Sequence, residues 1–327
     1  MPLGWTMGIN VRMKNLMALL RRHTIWLVLL AMVVFMSLVS KSFLTATNLL
    51  NVLRQVSMAG IVSVGMTVVL IGGNFDLSVG ATVTLAAVVS VYLQPTTAMN
   101  TVVSLIVPLL LGLLVGAVNG AIIGGLKANS VVVTVGTQFA VLGATLLYTG
   151  GQHVWVWTPT PFYEAISGGY FLGVPIPIFI FLLTVLAAHW LMTRTTFGRY
   201  VRAIGSNDEA ARLSGIPTTL YRMLTFIFSG FCAALAGIVL ASRVKNLDPT
   251  AGVGYEFSAL TAAILGGTRL SGGVGNVLNT LAGVLILGGI SNSMILLNMS
   301  FNTQLLARGL IFVGAVAIDA FSQRHRR

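Results

Sequence analysis

Apolar runs of nearly 20 residues recur along the whole chain, separated by short polar or glycine-rich breaks. A helix of that length crosses a hydrocarbon core of ~30 Å, and a helix satisfies its own backbone there. Ten spans are predicted, at about 24–40, 56–71, 79–94, 101–123, 131–149, 176–192, 221–242, 255–267, 277–297 and 304–320. The expected fold class is therefore all-α, a polytopic helical membrane protein in which residues 1–327 form one transmembrane domain. The fourth span carries Gly112, Gly116, Gly120 and Gly124, and the seventh carries Ser229, Ala233, Gly237 and Ala241. Small residues at four-residue spacing let another helix backbone approach closely. The eighth span is short and either crosses or re-enters; an odd number of crossings would put the basic tail on the far side.

The second span ends abruptly at Gly72-Gly73-Asn74-Phe75-Asp76-Leu77-Ser78-Val79-Gly80. An echo follows, with Ile264-Leu265-Gly266-Gly267 and Leu270-Ser271-Gly272-Gly273-Val274-Gly275 answering the stretch from Leu70 to Gly80. Duplicated halves with paired helix breaks are how transporters expose backbone groups to a passing solute. Two independent glycine-rich loops would look the same. Asp76 either caps the third span together with Ser78 or serves as an intramembrane proton relay.

The longest strongly polar stretch runs from Arg194 to Ile216. Ser206 with Glu209 three residues later reads as a capping box, Asp208 and Glu209 suit a helix N-terminus, and Gly215 and Pro217 stop the helix. A helix over 207–214 is marginal alone. It is expected to rest on a partner, with Ala210 and Leu213 as the apolar plug and Glu209 and Arg212 beside it.

Composition changes the picture in one respect. The chain is 56% hydrophobic and 8% charged yet carries a formal charge of +12, with a mean hydropathy of +0.92. Its basic residues lie between spans and at the ends, which fits the positive-inside rule and not a nucleic-acid surface. With the N-terminus inside, 14 of the 19 Lys and Arg residues fall on the cytoplasmic side. That places residues 1–23, the 193–220 stretch and both termini in the cytoplasm, and the 150–175 segment outside. Trp155, Trp157 and Tyr163 in that outer segment are either interfacial anchors or contacts for an extracytoplasmic partner.

The single cysteine, Cys232, excludes disulfides, and His23, His153, His189 and His325 lack metal-ligand spacing. No Gly-x-Ser-x-Gly elbow and no phosphate-binding Gly-x-x-x-x-Gly-Lys-Ser/Thr loop is present. Leu270-Ser271-Gly272-Gly273 imitates the signature peptide of ATP-binding cassettes but has no such loop to work with. An enzyme is not indicated, nor a cofactor or metal bound by this chain.

Gly-Arg-Tyr-Val-Arg-Ala-Ile-Gly-Ser-Asn-Asp-Glu-Ala-Ala-Arg-Leu-Ser-Gly-Ile over 198–216 resembles the cytoplasmic loop of ribose/arabinose-type permeases of bacterial ABC sugar importers. Residues 73–80, Gly254-Tyr255-Glu256 and Leu265-Gly266-Gly267-Thr268 share the likeness. The resemblance implies an inner-membrane, multi-pass subunit that moves a monosaccharide through a pore made with a second permease subunit. Cytoplasmic ATPase subunits, using ATP and Mg, would drive it, and a periplasmic sugar-binding protein would deliver the solute. It places ATPase coupling on Gly205, Asn207, Glu209, Ala210, Ala211, Arg212, Leu213, Ser214 and Gly215. Asn74, Asp76, Ser78 and Thr268 are the expected pathway residues, and Trp155, Trp157 and Tyr163 the expected binding-protein contacts. An ion-coupled carrier would need more ionisable groups in its core, and a purely structural membrane subunit would need no duplicated helix breaks.

Overall fold

The computed structural model describes residues 24–93, 98–155, 159–244 and 246–324. The N-terminal segment 1–23, Trp157 and the arginines at 326 and 327 lie outside the described residues. Thirteen helices are present among those described. The ten expected spans resolve into seven helices long and apolar enough to cross a membrane and three shorter apolar ones. The seven are α2 (Ala46–Ile71), α4 (Ala98–Leu126), α5 (Ser130–Thr149), α7 (Ile176–Arg194), α10 (Thr218–Arg243), α12 (Val277–Leu296) and α13 (Phe301–Arg324). The shorter three are α1 (Thr24–Val39), α3 (Val79–Tyr92) and α11 (Tyr255–Leu265). The remaining helices are α6 (Pro161–Gly168), α8 (Thr196–Ser206) and α9 (Asp208–Leu213).

The core is built around α2 and α10, which are antiparallel. Gly65 of α2 packs on Ser229 and Cys232 of α10, and Gly72, just past α2, faces Thr225. Most of the helix interior from Val56 to Ile71 is buried, so α2 is enclosed by protein and not by lipid. The α4 glycine stripe closes on α10, with Gly112 against Gly230 and Ala234, Gly116 against Phe226 and Ile227, and Gly120 against Met223. The Ser229 and Gly237 face of α10 meets other partners, namely Gly65 and, on α3, Val83 and Ala86. Each small-residue stripe is thus a helix contact, but the two do not face each other.

The halves are duplicated, and with inverted direction. Helices α2 to α5 are matched by α10 to α13. The helix α4 lies against α10 as α12 lies against α2, and α3 lies against α10 as α11 lies against α2. Asn48 and Asn292 exchange hydrogen bonds of 3.0 and 2.9 Å, and the Thr67 and Thr280 hydroxyls share one of 2.8 Å, which pins α2 antiparallel to α12. The structural counterpart of the 74–80 break is not the 264–275 stretch expected from the sequence. It is Asn246-Leu247-Asp248-Pro249-Thr250-Ala251-Gly252, which repeats the Asn, the Asp, the hydroxyl and the Gly of Asn74-Phe75-Asp76-Leu77-Ser78-Val79-Gly80. The short eighth span is therefore α11, a helix of 11 residues that starts after its own break just as α3 does.

The segment 150–175 is more structured than a loop. Val154–Trp155 (β1) pairs antiparallel with Asn246–Leu247 (β4), while Tyr170–Phe171 (β2) pairs with Val174–Pro175 (β3).

Candidate functional site

The polar stretch forms two helices. Thr195 interrupts the chain after α7, and Gly198 lies against the Met192 carbonyl, so the backbone turns where a side chain would not fit. The helix α8 then buries Gly198, Val201 and Ile204 on one face. It continues through Ser206, whose hydroxyl bonds the Arg202 carbonyl at 2.8 Å. Ser206 is consequently not the cap of the next helix, contrary to the expected capping box. Asn207 takes the extended conformation instead, and its side chain accepts from the Ala210 N–H at 2.9 Å.

The helix α9 ends as its sequence predicts. Gly215 has φ +81°, and the N–H groups of Gly215 and Ile216 reach the carbonyls of Arg212 and Ala211 at 3.0 and 3.1 Å. This is a Schellman ending, which needs a left-handed residue. Ala211 turns inward, whereas Glu209, Ala210, Arg212, Leu213 and Ser214 are exposed, Leu213 at 79%. Asp208 holds the helix to α10 through a 2.8 Å ion pair with Arg222, whose side chain is only 11% exposed. Both line a cavity of about 300 Å³ with Asn74, Lys127 and Ser130.

The 74–78 break lies along α5, which satisfies its backbone. The Phe75 and Leu77 N–H groups donate to the Ser130 and Thr134 hydroxyls, each at 3.1 Å, one helical turn apart. Asp76 accepts from the Ser78 N–H at 3.2 Å and from its hydroxyl at 2.6 Å. Asn119 of α4 donates to the Ser78 hydroxyl at 2.9 Å and accepts from Thr137 at 2.6 Å. Asp76 and Ser78 are each 1% exposed and Thr268 is also 1% exposed, with no hydrogen-bond partner for its buried hydroxyl. The structure joins Asp76 and Ser78, sends Asn74 to the cavity beside α9, and gives Thr268 no hydrogen bond to any of the three.

Where α3 and α11 begin, the equivalent glycines of the two halves face each other. A Cβ on Gly80 would stand 2.7 Å from the Gly252 carbonyl, and one on Gly252 would stand 2.6 Å from the Thr84 hydroxyl, which itself accepts from the Gly252 N–H at 3.0 Å. Glu256 covers Gly80, accepts from the Gly254 N–H at 3.1 Å and takes a 3.2 Å bond from Gln138 of α5. Asn119, Thr137 and Gln138 were not singled out from the sequence, because single polar residues inside apolar runs carry no spacing signal, and Glu256 stood out there only within the Gly254-Tyr255-Glu256 likeness.

At the opposite end, Tyr163 is not a surface residue. It is 1% exposed, and its hydroxyl shares a 2.9 Å bond with Ser90. The α6 turn drives it into the core, which corrects its assignment as a docking contact. Trp155 stays 54% exposed on β1. A cavity of about 440 Å³ opens nearby, lined by Arg54, Glu164, Ser167 and Arg243. The Nε and Nη2 atoms of Arg54 and the Ser167 hydroxyl are buried there without hydrogen-bond partners, and Arg54 lies 4.9 Å over the Tyr170 ring. No group of three or more His, Cys, Asp or Glu side chains suited to a metal occurs among the described residues.

Residues 48–316 match the profile of the family described as branched-chain amino acid transport system / permease component. The chain belongs to this permease family. The permease is 38% identical over 291 residues to the ribose import permease protein RbsC of Bacillus subtilis, covering 89% of this chain and 90% of that one. It is 35% identical to RbsC of Haemophilus influenzae over 298 residues, 90% and 92% of the two chains. Against the L-arabinose transport system permease protein AraH of Escherichia coli K12 the identity is 37% over 286 residues, 88% and 86%. No solved structure matches the permease at a significant level. As a permease subunit of this kind it is a multi-pass membrane component and not itself an enzyme.

Proposed function

We propose that this permease carries a monosaccharide, pentose or hexose, across the bacterial inner membrane as the spanning subunit of a binding-protein-dependent ABC importer. The helix α9 is the coupling element on which a cytoplasmic ATPase docks, and that ATPase uses the ATP and Mg. Both termini are cytoplasmic, and a second permease subunit, the same chain or a related one, completes the pore. The likeness to ribose and arabinose permeases over about nine-tenths of the chain supports the sugar.

One observation carries the coupling assignment: a helix of six residues, capped at both ends, presents a leucine 79% exposed at its tip. So short a helix does not persist on its own propensity. It is tied down by Ala211 and the Asp208–Arg222 pair, so its remaining face is free for a partner, with Leu213 and Ala210 as the plug and Glu209 and Arg212 at its rim. The opposite cavity, with the donor edge of Arg54 unpaired, is the place for a periplasmic binding protein, alongside Trp155. An ion-coupled carrier is disfavoured because the two fully buried carboxylates, Asp76 and Glu256, are each held by several hydrogen bonds.

The test replaces Leu213 by Asp in the complete importer. An unpaired charge in a desolvated contact costs several kcal/mol, so the ATPase is expected to stop co-purifying and uptake to cease while membrane levels stay normal. Gly215→Val, which cannot adopt the +81° φ without strain, should act alike. Normal co-purification by Leu213→Asp refutes the docking role. Uptake of radiolabelled leucine instead of ribose, arabinose or a hexose refutes the sugar.

A further inference from the structure

Three backbone segments meet beside α9, and at Gly73, Gly205 and Gly272 no side chain lies between them. Gly205, near the end of α8, lies against the carbonyl oxygen of Ile71, the last residue of α2, and a Cβ there would stand 2.6 Å from the Gly273 nitrogen. A Cβ on Gly272 would stand 2.7 Å from both the Gly205 carbonyl oxygen and the Gly73 Cα. The Ile71 carbonyl, one of those a helix end leaves without an intrahelical partner, accepts from the Gly273 N–H at 2.9 Å. Gly273 also backs onto Ser206, the residue before the Asn207 cap. Arg202 of α8 fastens the same turn by donating to the Gly275 carbonyl at 3.1 Å. Gly73, Gly272 and Gly273 have φ of +76°, +85° and +74°, conformations that side chains disfavour.

The mechanical consequence follows from the absence of side chains. A displaced side chain absorbs movement by changing rotamer, whereas packed backbone has no such slack. The end of α2 leads into the break at 72–78, and the 266–276 turn leads into α12, so both inherit any shift of α8. We propose that this glycine junction is the rigid link that transmits displacement of α9 to the first break and to α12, with Gly205 and Arg202 as positioning residues for coupling. It rests on α9 being the ATPase-docking helix, and the readouts keep the two apart.

The measurement is uptake per ATP hydrolysed by the complete importer in proteoliposomes, using whichever of radiolabelled ribose or arabinose the wild type accumulates. In Arg202→Met the ATPase should co-purify at normal yield and still hydrolyse ATP, while uptake per ATP falls about fivefold or more, the usual scale of coupling between sites; Gly205→Ala should lower uptake per ATP at least as far. Arg202→Lys should recover part of the loss. Arg202→Met adds no bulk at the contact and decides the matter alone if Gly205→Ala fails to assemble. A wild-type ratio in Arg202→Met overturns the proposal. Loss of docking itself would appear as lost co-purification, the behaviour assigned to Leu213→Asp.

Discussion

The breaks at 74–80 and 246–252 have the same local chemistry and opposite surroundings. In each, an Asp accepts from the N–H and the hydroxyl of the residue two positions on: Asp76 at 3.2 and 2.6 Å, Asp248 at 2.8 and 2.6 Å. This is an Asx turn, which shapes a reversal without help from the rest of the fold. The first is then locked into the core by Asn119, Thr137, Ser130 and Thr134, and Asp76 is 1% exposed. The second stays exposed at Asp248; its neighbours Asn246 and Leu247 pair with the two-residue strand β1, Asn246 also meets the His153 ring at 3.0 Å, and Leu247 is buried. The Thr250 hydroxyl holds the Asp248 carboxyl below its ordinary value. One copy is a fixture of the core and the other a surface turn, so equal substitutions should have unequal effects, except where the two copies touch.

That exception gives the largest effect. Gly80→Val and Gly252→Val both force side chains into the facing backbone, and each is expected to abolish stable insertion, read as protein recovered in detergent as a monodisperse species. Normal recovery of either would mean that the two half-length helices need not meet. Next, Asp76→Leu leaves the buried Ser78 N–H and hydroxyl without their acceptor and should cost about 3 kcal/mol. Asp248→Leu, at an exposed turn, should cost under about 1 kcal/mol. Thermal unfolding of the detergent-solubilised pair measures the difference, and equal shifts would erase the contrast. Smallest is Asp76→Asn, which keeps the acceptor oxygen of the turn and should lose about 1 kcal/mol or less while retaining most uptake. A correctly inserted but inactive Asn variant would show that the charge itself is needed.

The spans and the short helix α9 were legible because they rest on local signals: apolar runs, Gly215 and Pro217 as a stop, and basic residues between spans. The duplication was raised from the sequence, beside the reading of two independent glycine-rich loops, but was paired wrongly. Glycine repeats drew attention to 264–275, whereas the true counterpart at 246–252 shares only Asn, Asp and Gly by identity, within a stretch that reads as an ordinary polar loop. Ser206 fitted the capping-box spacing, yet α8 runs through it and hands the role to Asn207, because packing of Val201 and Ile204 extends the helix beyond its local stop. Tyr163 read as an interfacial aromatic because its partner, Ser90, is on a distant helix. Such pairings are set by tertiary geometry, and no window of neighbouring residues contains them.

The facing of Gly80 and Gly252 also constrains how the two halves could drift apart. A residue on the pseudo-twofold meets its own counterpart, so any gain in volume at one position must be met by a loss at the other, and two glycines leave nothing to lose. One turn further along, the restriction lifts: Thr84 lies over the second glycine and Glu256 over the first, two different side chains at matching places. Divergence between the halves is therefore forbidden at the axis and free a single helical turn away, where the second half places the buried carboxylate of Glu256 and the first half the Thr84 hydroxyl.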